Sequence, residues 1–241
     1  MRIAGVVKSS FVDYPGMIAA VIFTPGCNLR CFYCHNPELM DAGSAANARA
    51  LEEVMDWLRT RRGLLDAVVV SGGEPTLQLG LAEFTAKVRA LGYLVKLDTN
   101  GTRPDILESL IGAGVLDYVA MDIKATVEKY GSVCGVSVDQ GAIDESIALL
   151  MDGSVDYEFR TTVIPQITPE DLVAMGSRIR GAGTYVLQRC RWPNSGRPSD
   201  RPGSVPGDRT PPWLEGARQR LERLVENCVV RGFGVTCIRS T

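Results

Sequence analysis

Cys27, Cys31 and Cys34 stand on one short stretch at C-x3-C-x2-C spacing. Thiolates so close together form the ligand set of a metal centre, because the thiolate is a soft anionic donor. A structural zinc site is closed by four protein ligands. The fourth here would have to be a distant cysteine or His35, and His35 adjoins Cys34 and is badly placed to share one tetrahedron with it. A [4Fe–4S] cluster is normally held by four thiolates. With three, one iron keeps an open position that a ligand carrying amino and carboxylate groups could chelate. The expectation is a [4Fe–4S] cluster on Cys27, Cys31 and Cys34.

Other polar groups follow apolar runs. Ser71-Gly72-Gly73-Glu74-Pro75 comes after Ala67–Val70, Asp98-Thr99-Asn100-Gly101 after Leu94–Leu97, and Asp122-Ile123-Lys124 after Tyr118–Met121. Two residues without Cβ let a ligand approach the backbone, with Glu74 beside them for a cationic group. Each motif also has a plain reading as a tight turn, a generic turn and a solvated pair. Their common placement argues for more. The cysteine loop follows Val21–Phe23 in the same way, so four consecutive strands carry polar groups to one rim.

The elements that must hold these groups alternate. Short strands are expected at 2–7 and 18–24 around the turn Asp13-Tyr14-Pro15-Gly16, then at 67–70, 93–97, 117–121, 157–163, 184–188 and 233–238. Helical stripes lie between them: Leu51, Val54, Met55, Leu58; Leu81, Phe84, Val88, Leu91; Pro104 to Leu110; Ile143, Ile147, Leu150; Pro169 to about Arg180; and Leu214, Ala217, Leu221, Leu224, Val225, Cys228. Residues 41–49 read as loop. Residues 193–212, rich in Pro, Gly and Ser, read as a long irregular loop inside one domain spanning 1–241. Strand–helix alternation implies an α/β fold with a parallel sheet, doubly wound or closed into a barrel, with ligands at the carboxyl ends of the strands.

Composition narrows the function. The 241 residues are 45% hydrophobic and carry a net charge of −2, which suggests neither a nucleic-acid footprint nor a membrane span. The expectation is a soluble, cytoplasmic protein. Seven cysteines, three of them clustered, point to metal or redox chemistry more than to a disulfide framework. Cys134, Cys190, Cys228 and Cys237 read as small buried hydrophobes.

Cys27-x3-Cys31-x2-Cys34 with Tyr33 resembles the signature of the radical S-adenosylmethionine (SAM) superfamily. Cys34-His35-Asn36-Pro37, with the Gly72-Gly73-Glu74, Asp98-Thr99-Asn100-Gly101 and Asp122-Ile123-Lys124 motifs, looks like the glycyl-radical-enzyme activating family. Asp13-Tyr14-Pro15-Gly16 and the short length look most like its activators of anaerobic ribonucleoside-triphosphate reductase.

The resemblance implies a partial (β/α)6 TIM-like barrel, with the cluster loop after the first barrel strand. It implies a cluster chelated by SAM, whose adenine meets the backbone of Tyr33, Cys34 and His35. Gly72, Gly73 and Glu74 would receive the SAM amino group and Lys124 its carboxylate, with Arg160 a candidate for the ribose or carboxylate. Asp98, Thr99, Asp122 and Ile123 look like a monovalent cation site. The implied reaction is reductive cleavage of SAM and abstraction of a glycine hydrogen on a partner glycyl radical enzyme. Electrons would come from a flavodoxin- or ferredoxin-like donor. Pyruvate formate-lyase activases place a SAM-contacting histidine late in the chain, whereas His35 is the only histidine here. The rivals are activation of another glycyl radical enzyme of the pyruvate formate-lyase type, radical chemistry on a small molecule, and a non-catalytic zinc or iron–sulfur module.

Overall fold

A computed structural model describes residues 1–44, 50–190 and 212–232. Their contacts group into two compact units. One comprises Met1–Arg30, Asn36–Met121 and Asp139–Tyr157; the other comprises Cys31–His35, Asp122–Val138 and the chain from Glu158 onward.

The first unit is a sheet of strands in chain order. β1 (Gly5–Ser10) runs antiparallel to β2 (Ala19–Thr24). β2, β3 (Ala67–Gly72), β4 (Leu94–Thr99) and β5 (Tyr118–Asp122) then pair in parallel, in register from Ala19 opposite Ala67 and Ala67 opposite Leu94. The apolar run of β3 is buried from Ala67 to Val70, as a strand covered on both faces requires. Helices α1 (Leu51–Arg59), α2 (Leu81–Ala90) and α3 (Pro104–Gly112) connect the strands, and α5 (Gln140–Met151) packs with α3. Val54, Met55 and Leu58, then Phe84 and Val88, then Ile143, Ile147 and Leu150 turn inward as their spacing predicts.

The second unit carries β6 (Asp156–Val163), β7 (Thr184–Arg189) and β8 (Asn227–Arg231), parallel throughout. Beside them lie α4 (Val127–Cys134), α6 (Pro169–Arg178) and α7 (Pro212–Leu221). Thr168 and Asp171 close α6 with a reciprocal capping box.

Four expectations shift. β1 covers 5–10 instead of 2–7, because its ladder to β2 starts at Gly5 opposite Phe23. A 3-10 turn occupies Ala42–Ser44 within the expected loop. α4 has no counterpart in the sequence reading: Tyr130, Val133 and Cys134 are buried on it, but its apolar stripe is too short to stand out. The last helical stripe does not run to Cys228. α7 ends at Leu221, Glu226 N–H donates to the Ala182 carbonyl, and Cys228 lies in β8 opposite Tyr185. Helical spacing and a buried strand position both accept an apolar residue there, and the pairing with β7 decides between them. The strand expected at 233–238 and residues 45–49 lie outside the described residues, as does the loop expected at 193–212 except Pro212, which opens α7.

Candidate functional site

In the first unit three strand ends converge through one carboxylate. Glu74, just beyond β3, is 1% exposed. Its Oε1 accepts from Thr76 N (3.1 Å), Thr76 Oγ1 (2.6 Å) and Thr99 Oγ1 (2.8 Å), and its Oε2 accepts from Asn100 N (2.7 Å). Burial outweighs these donors and raises its pKa. Asn100 continues the chain of contacts: its Nδ2 donates to Asn28 Oδ1 (2.9 Å) and lies 4.0 Å from Cys27 Sγ, which also accepts from Leu29 N at 3.4 Å. The ends of β2, β3 and β4 thus meet beside Cys27, as the common placement of their motifs predicts. Arg30 staples the cysteine loop by donating to the carbonyls of Cys27 (3.2 Å) and Met40 (3.0 Å).

The two glycines also meet a packing need. A Cβ on Gly72 would lie 2.3 Å from Thr24 N, and one on Gly73 would lie 2.1 Å from the Gly26 carbonyl oxygen. Gly73 N–H donates to Thr24 O and Glu74 N–H to Gly26 O, both at 2.8 Å. The missing side chains let the turn after β3 lie against the segment that leads into the cysteine loop. Gly73→Ala is therefore expected to lower stability by about 3 kcal/mol, because the obstructing atoms are backbone and cannot swing aside. A urea unfolding midpoint equal to wild type would refute this packing role.

Asp98 is held from within its own strand. The buried Lys96 ammonium donates to Asp98 Oδ1 (2.8 Å) and to the Asp13 carbonyl (2.7 Å), and so ties the Asp13–Gly16 turn to β4.

The second unit assembles Cys31–His35, Asp122–Lys124 and Arg160. Asp122 sits between two cations: Lys124 Nζ is 3.1 Å from Oδ2, and Arg160 Nε is 2.9 Å from Oδ1. Burial alone would raise the Asp122 carboxyl, but the guanidinium and ammonium outweigh it and hold it at about 2. Burial opposes charge on Lys124 as well, yet Asp122, Tyr33 and Cys31 push its ammonium well above the ordinary lysine range. One backbone and one side-chain bond fix the pair of strand ends: Ile123 N–H donates to Arg160 O (2.8 Å), and the Thr161 hydroxyl donates to Ile123 O (2.6 Å). Tyr33 is buried, with Phe32 edge-on at 5.4 Å.

Cys31 is the group whose chemistry is most altered. A side-chain hydrogen bond from Cys134, at the end of α4, lowers its pKa against the opposing effect of burial, and Lys124 adds to this. The thiol falls to about 6, so the thiolate predominates at neutral pH. None of the six described cysteines is in a disulfide.

These observations suit the cluster the spacing implies. Cys31 is disposed to be a thiolate, and Cys27 Sγ already receives an N–H donor, as cluster sulfurs do. Among the described residues, no three His, Cys, Asp or Glu side chains gather around a point that could hold a single metal ion. A [4Fe–4S] cluster makes a different demand, with one thiolate to each of three irons. Of the groups expected to serve a monovalent cation with Thr99 and Ile123, Asp98 accepts from Lys96, and Asp122 accepts from Lys124 and Arg160. Sequence reasoning passed over Asn100 within its own motif. It also passed over Cys134, which no spacing could have joined to Cys31.

Comparison with known proteins decides the family. The profile of the Radical SAM superfamily matches residues 21–179. The chain belongs to the radical SAM superfamily. A Methanocaldococcus jannaschii protein named as a glycyl-radical enzyme activating enzyme is 35% identical over 196 residues, covering 78% of this chain and 79% of that one. The pyruvate formate-lyase-activating enzyme of Listeria monocytogenes is 34% identical over 187 residues, covering 72% and 74%. This radical SAM enzyme is thus of the glycyl-radical-enzyme activating family. Among solved structures, SuiB of Streptococcus suis bound to S-adenosylmethionine superposes with a TM-score of 0.60 at 12% identity, over 88% of this chain and 51% of that one. TYW1 with a lysine-pyruvate adduct gives 0.55 at 13%, over 85% and 72%. Likeness at such identity speaks for the fold, the α/β class with a parallel sheet expected from the strand–helix alternation. The described residues contain no helix long and apolar enough to cross a membrane.

Proposed function

We propose that this radical SAM enzyme activates a glycyl radical enzyme, and that its partner is an anaerobic ribonucleoside-triphosphate reductase. The observation that carries the chemistry is the trio Cys27, Cys31 and Cys34 in a chain of the activating family, with Cys31 disposed as a thiolate. These three would hold a [4Fe–4S] cluster and leave one iron to the amino and carboxylate groups of SAM. When bound and reduced, the cluster supplies one electron to the SAM sulfonium, yielding the 5′-deoxyadenosyl radical that takes a hydrogen from a glycine Cα.

The chain's own groups would orient SAM. Among the described bonds, Glu74 Oε2 accepts one donor against three on Oε1, so it keeps capacity for the SAM ammonium beside Gly72 and Gly73. Lys124 and Arg160, both held at Asp122, would receive the SAM carboxylate. The backbone of Tyr33, Cys34 and His35 would meet the adenine. A flavodoxin- or ferredoxin-like protein would deliver the electron.

The reductase assignment rests on the Asp13-Tyr14-Pro15-Gly16 turn. A pyruvate formate-lyase-type partner is the second reading, favoured by the identity to the Listeria enzyme. The test is electron paramagnetic resonance on the reduced, cluster-loaded protein mixed with SAM and each purified candidate. A glycyl-radical doublet is expected with the reductase. A doublet with the lyase alone would transfer the assignment. Deoxyadenosine release with no doublet from either would point to a small-molecule substrate.

A further inference from the structure

Asn100 holds its side chain in a closed ring of hydrogen bonds. Its Oδ1 accepts from Thr102 N (3.0 Å) and from Thr102 Oγ1 (2.6 Å). Thr102 Oγ1 accepts in turn from Asn28 Nδ2 (2.7 Å), and Asn28 Oδ1 accepts from Asn100 Nδ2 (2.9 Å). A backbone N–H can only donate, so the bond from Thr102 N fixes the amide oxygen on that side and turns the amino group to the other. One amino hydrogen goes to Asn28. The second is directed to Cys27 Sγ, 4.0 Å from the nitrogen. The backbone is pinned as well: Asn100 N–H donates to Glu74 Oε2 (2.7 Å), and the Gly101 carbonyl accepts from Ser146 Oγ on α5 (2.8 Å). Asn100 is 4% exposed, so little water competes for the amide.

We propose that Asn100 is a positioning residue that acts through Cys27, its amide N–H setting the reduction potential of the cluster on Cys27, Cys31 and Cys34. The inference rests on the reading of these cysteines as cluster ligands. Reduction adds one negative charge to a cluster, and the thiolate sulfurs carry part of it. A hydrogen bond to such a sulfur is stronger in the reduced state, so it raises the potential. Leu29 N–H, at 3.4 Å, is a second donor to the same sulfur, but it comes from the cysteine loop itself. The amide is brought from the end of β4, and it is there by choice of side chain. The ring makes it effective. An amide free to turn over would present its oxygen to the sulfur as readily as its amino group, and the oxygen would act in the opposite sense.

The test compares full-length wild type with Asn100→Leu, which keeps the size and removes the donor. Both are loaded with iron and sulfide, kept free of SAM, and followed by the electron paramagnetic resonance of the reduced cluster against applied potential. The variant's midpoint should fall by about 59 mV, a tenfold change in the one-electron equilibrium. The sign separates this role from a merely structural one, because water admitted beside a loosened cluster would favour the reduced state and raise the midpoint. An unchanged or raised midpoint in a fully loaded variant would overturn the proposal and leave the ligand reading intact. A wild-type chain that assembles no cluster would overturn both. If the variant does not load, wild type labelled with nitrogen-15 in its asparagine side-chain amides decides. Hyperfine coupling of that label to the reduced cluster is expected from Asn100, since Asn28 turns its own amide nitrogen to Thr102. Absence of the coupling would overturn the proposal.

Discussion

Cys31→Ala is expected to leave a soluble, folded protein that assembles no [4Fe–4S] cluster. Cys31 lies in a turn closed by Cys34 N–H to the Cys31 carbonyl at 3.0 Å, a backbone bond that alanine keeps. The packing loss is that of one small sulfur at a position still 8% exposed, about 1 kcal/mol. The loss of function is of another order. Two thiolates do not retain a cluster that already leaves one iron without a protein ligand. Iron and sulfide content, with the visible absorption of the anaerobically reconstituted protein, should fall to background while the far-ultraviolet circular dichroism matches wild type. A variant that still binds a full cluster would remove Cys31 from the ligand set. A wild-type protein that took up one zinc and stayed colourless would remove the enzyme reading as well.

Asp122→Asn should cost about 2–3 kcal/mol near neutral pH. The substitution keeps the shape and removes the carboxylate held between Lys124 and Arg160, whose side chains are 13% and 14% exposed. Breaking a fully buried pair costs about 3–5 kcal/mol, and the 24% exposure of Asp122 reduces that figure. Linkage leads to a similar size. The folded-state carboxyl lies at about 2, below an unfolded value of about 3.9. Its stabilisation is therefore fully present above about pH 4 and is lost as pH falls towards 2. The difference in urea midpoint between wild type and variant should be constant from pH 7 down to about 4 and narrow below that. A difference that persisted undiminished at pH 2 would show that Asp122 acts through shape instead of charge.

Much of the arrangement around these residues was legible before any coordinates. Ala67–Val70 reads as a strand covered on both faces because such strands need no polar side, and all four residues are buried. Pro104 and Pro169 open helices as the first helical turn allows. The placement of polar motifs after successive apolar runs located the strand ends that carry Glu74, Asn100 and Asp122. The C-terminal stretch was less legible. Leu214 to Cys228 keeps helical spacing throughout, and only the ladder from β7 shows that Asn227–Arg231 is a strand.

The sequence by itself set the expectation of a ligand trio, because Cys27, Cys31 and Cys34 are neighbours in the chain and thiolates at that spacing form a metal-ligand set. It also determined the α/β class, since periodicity is a local property. Tertiary structure decided what each polar group does. Glu74 accepts from Thr76, Thr99 and Asn100, Asp122 is shared by Lys124 and Arg160, and Gly72 and Gly73 make room for neighbouring backbone. Tertiary structure also brought Cys134 from the end of α4 to Cys31. Hydrogen bonds, burial and charge pairing depend on distances between residues remote in sequence, which spacing along the chain does not encode.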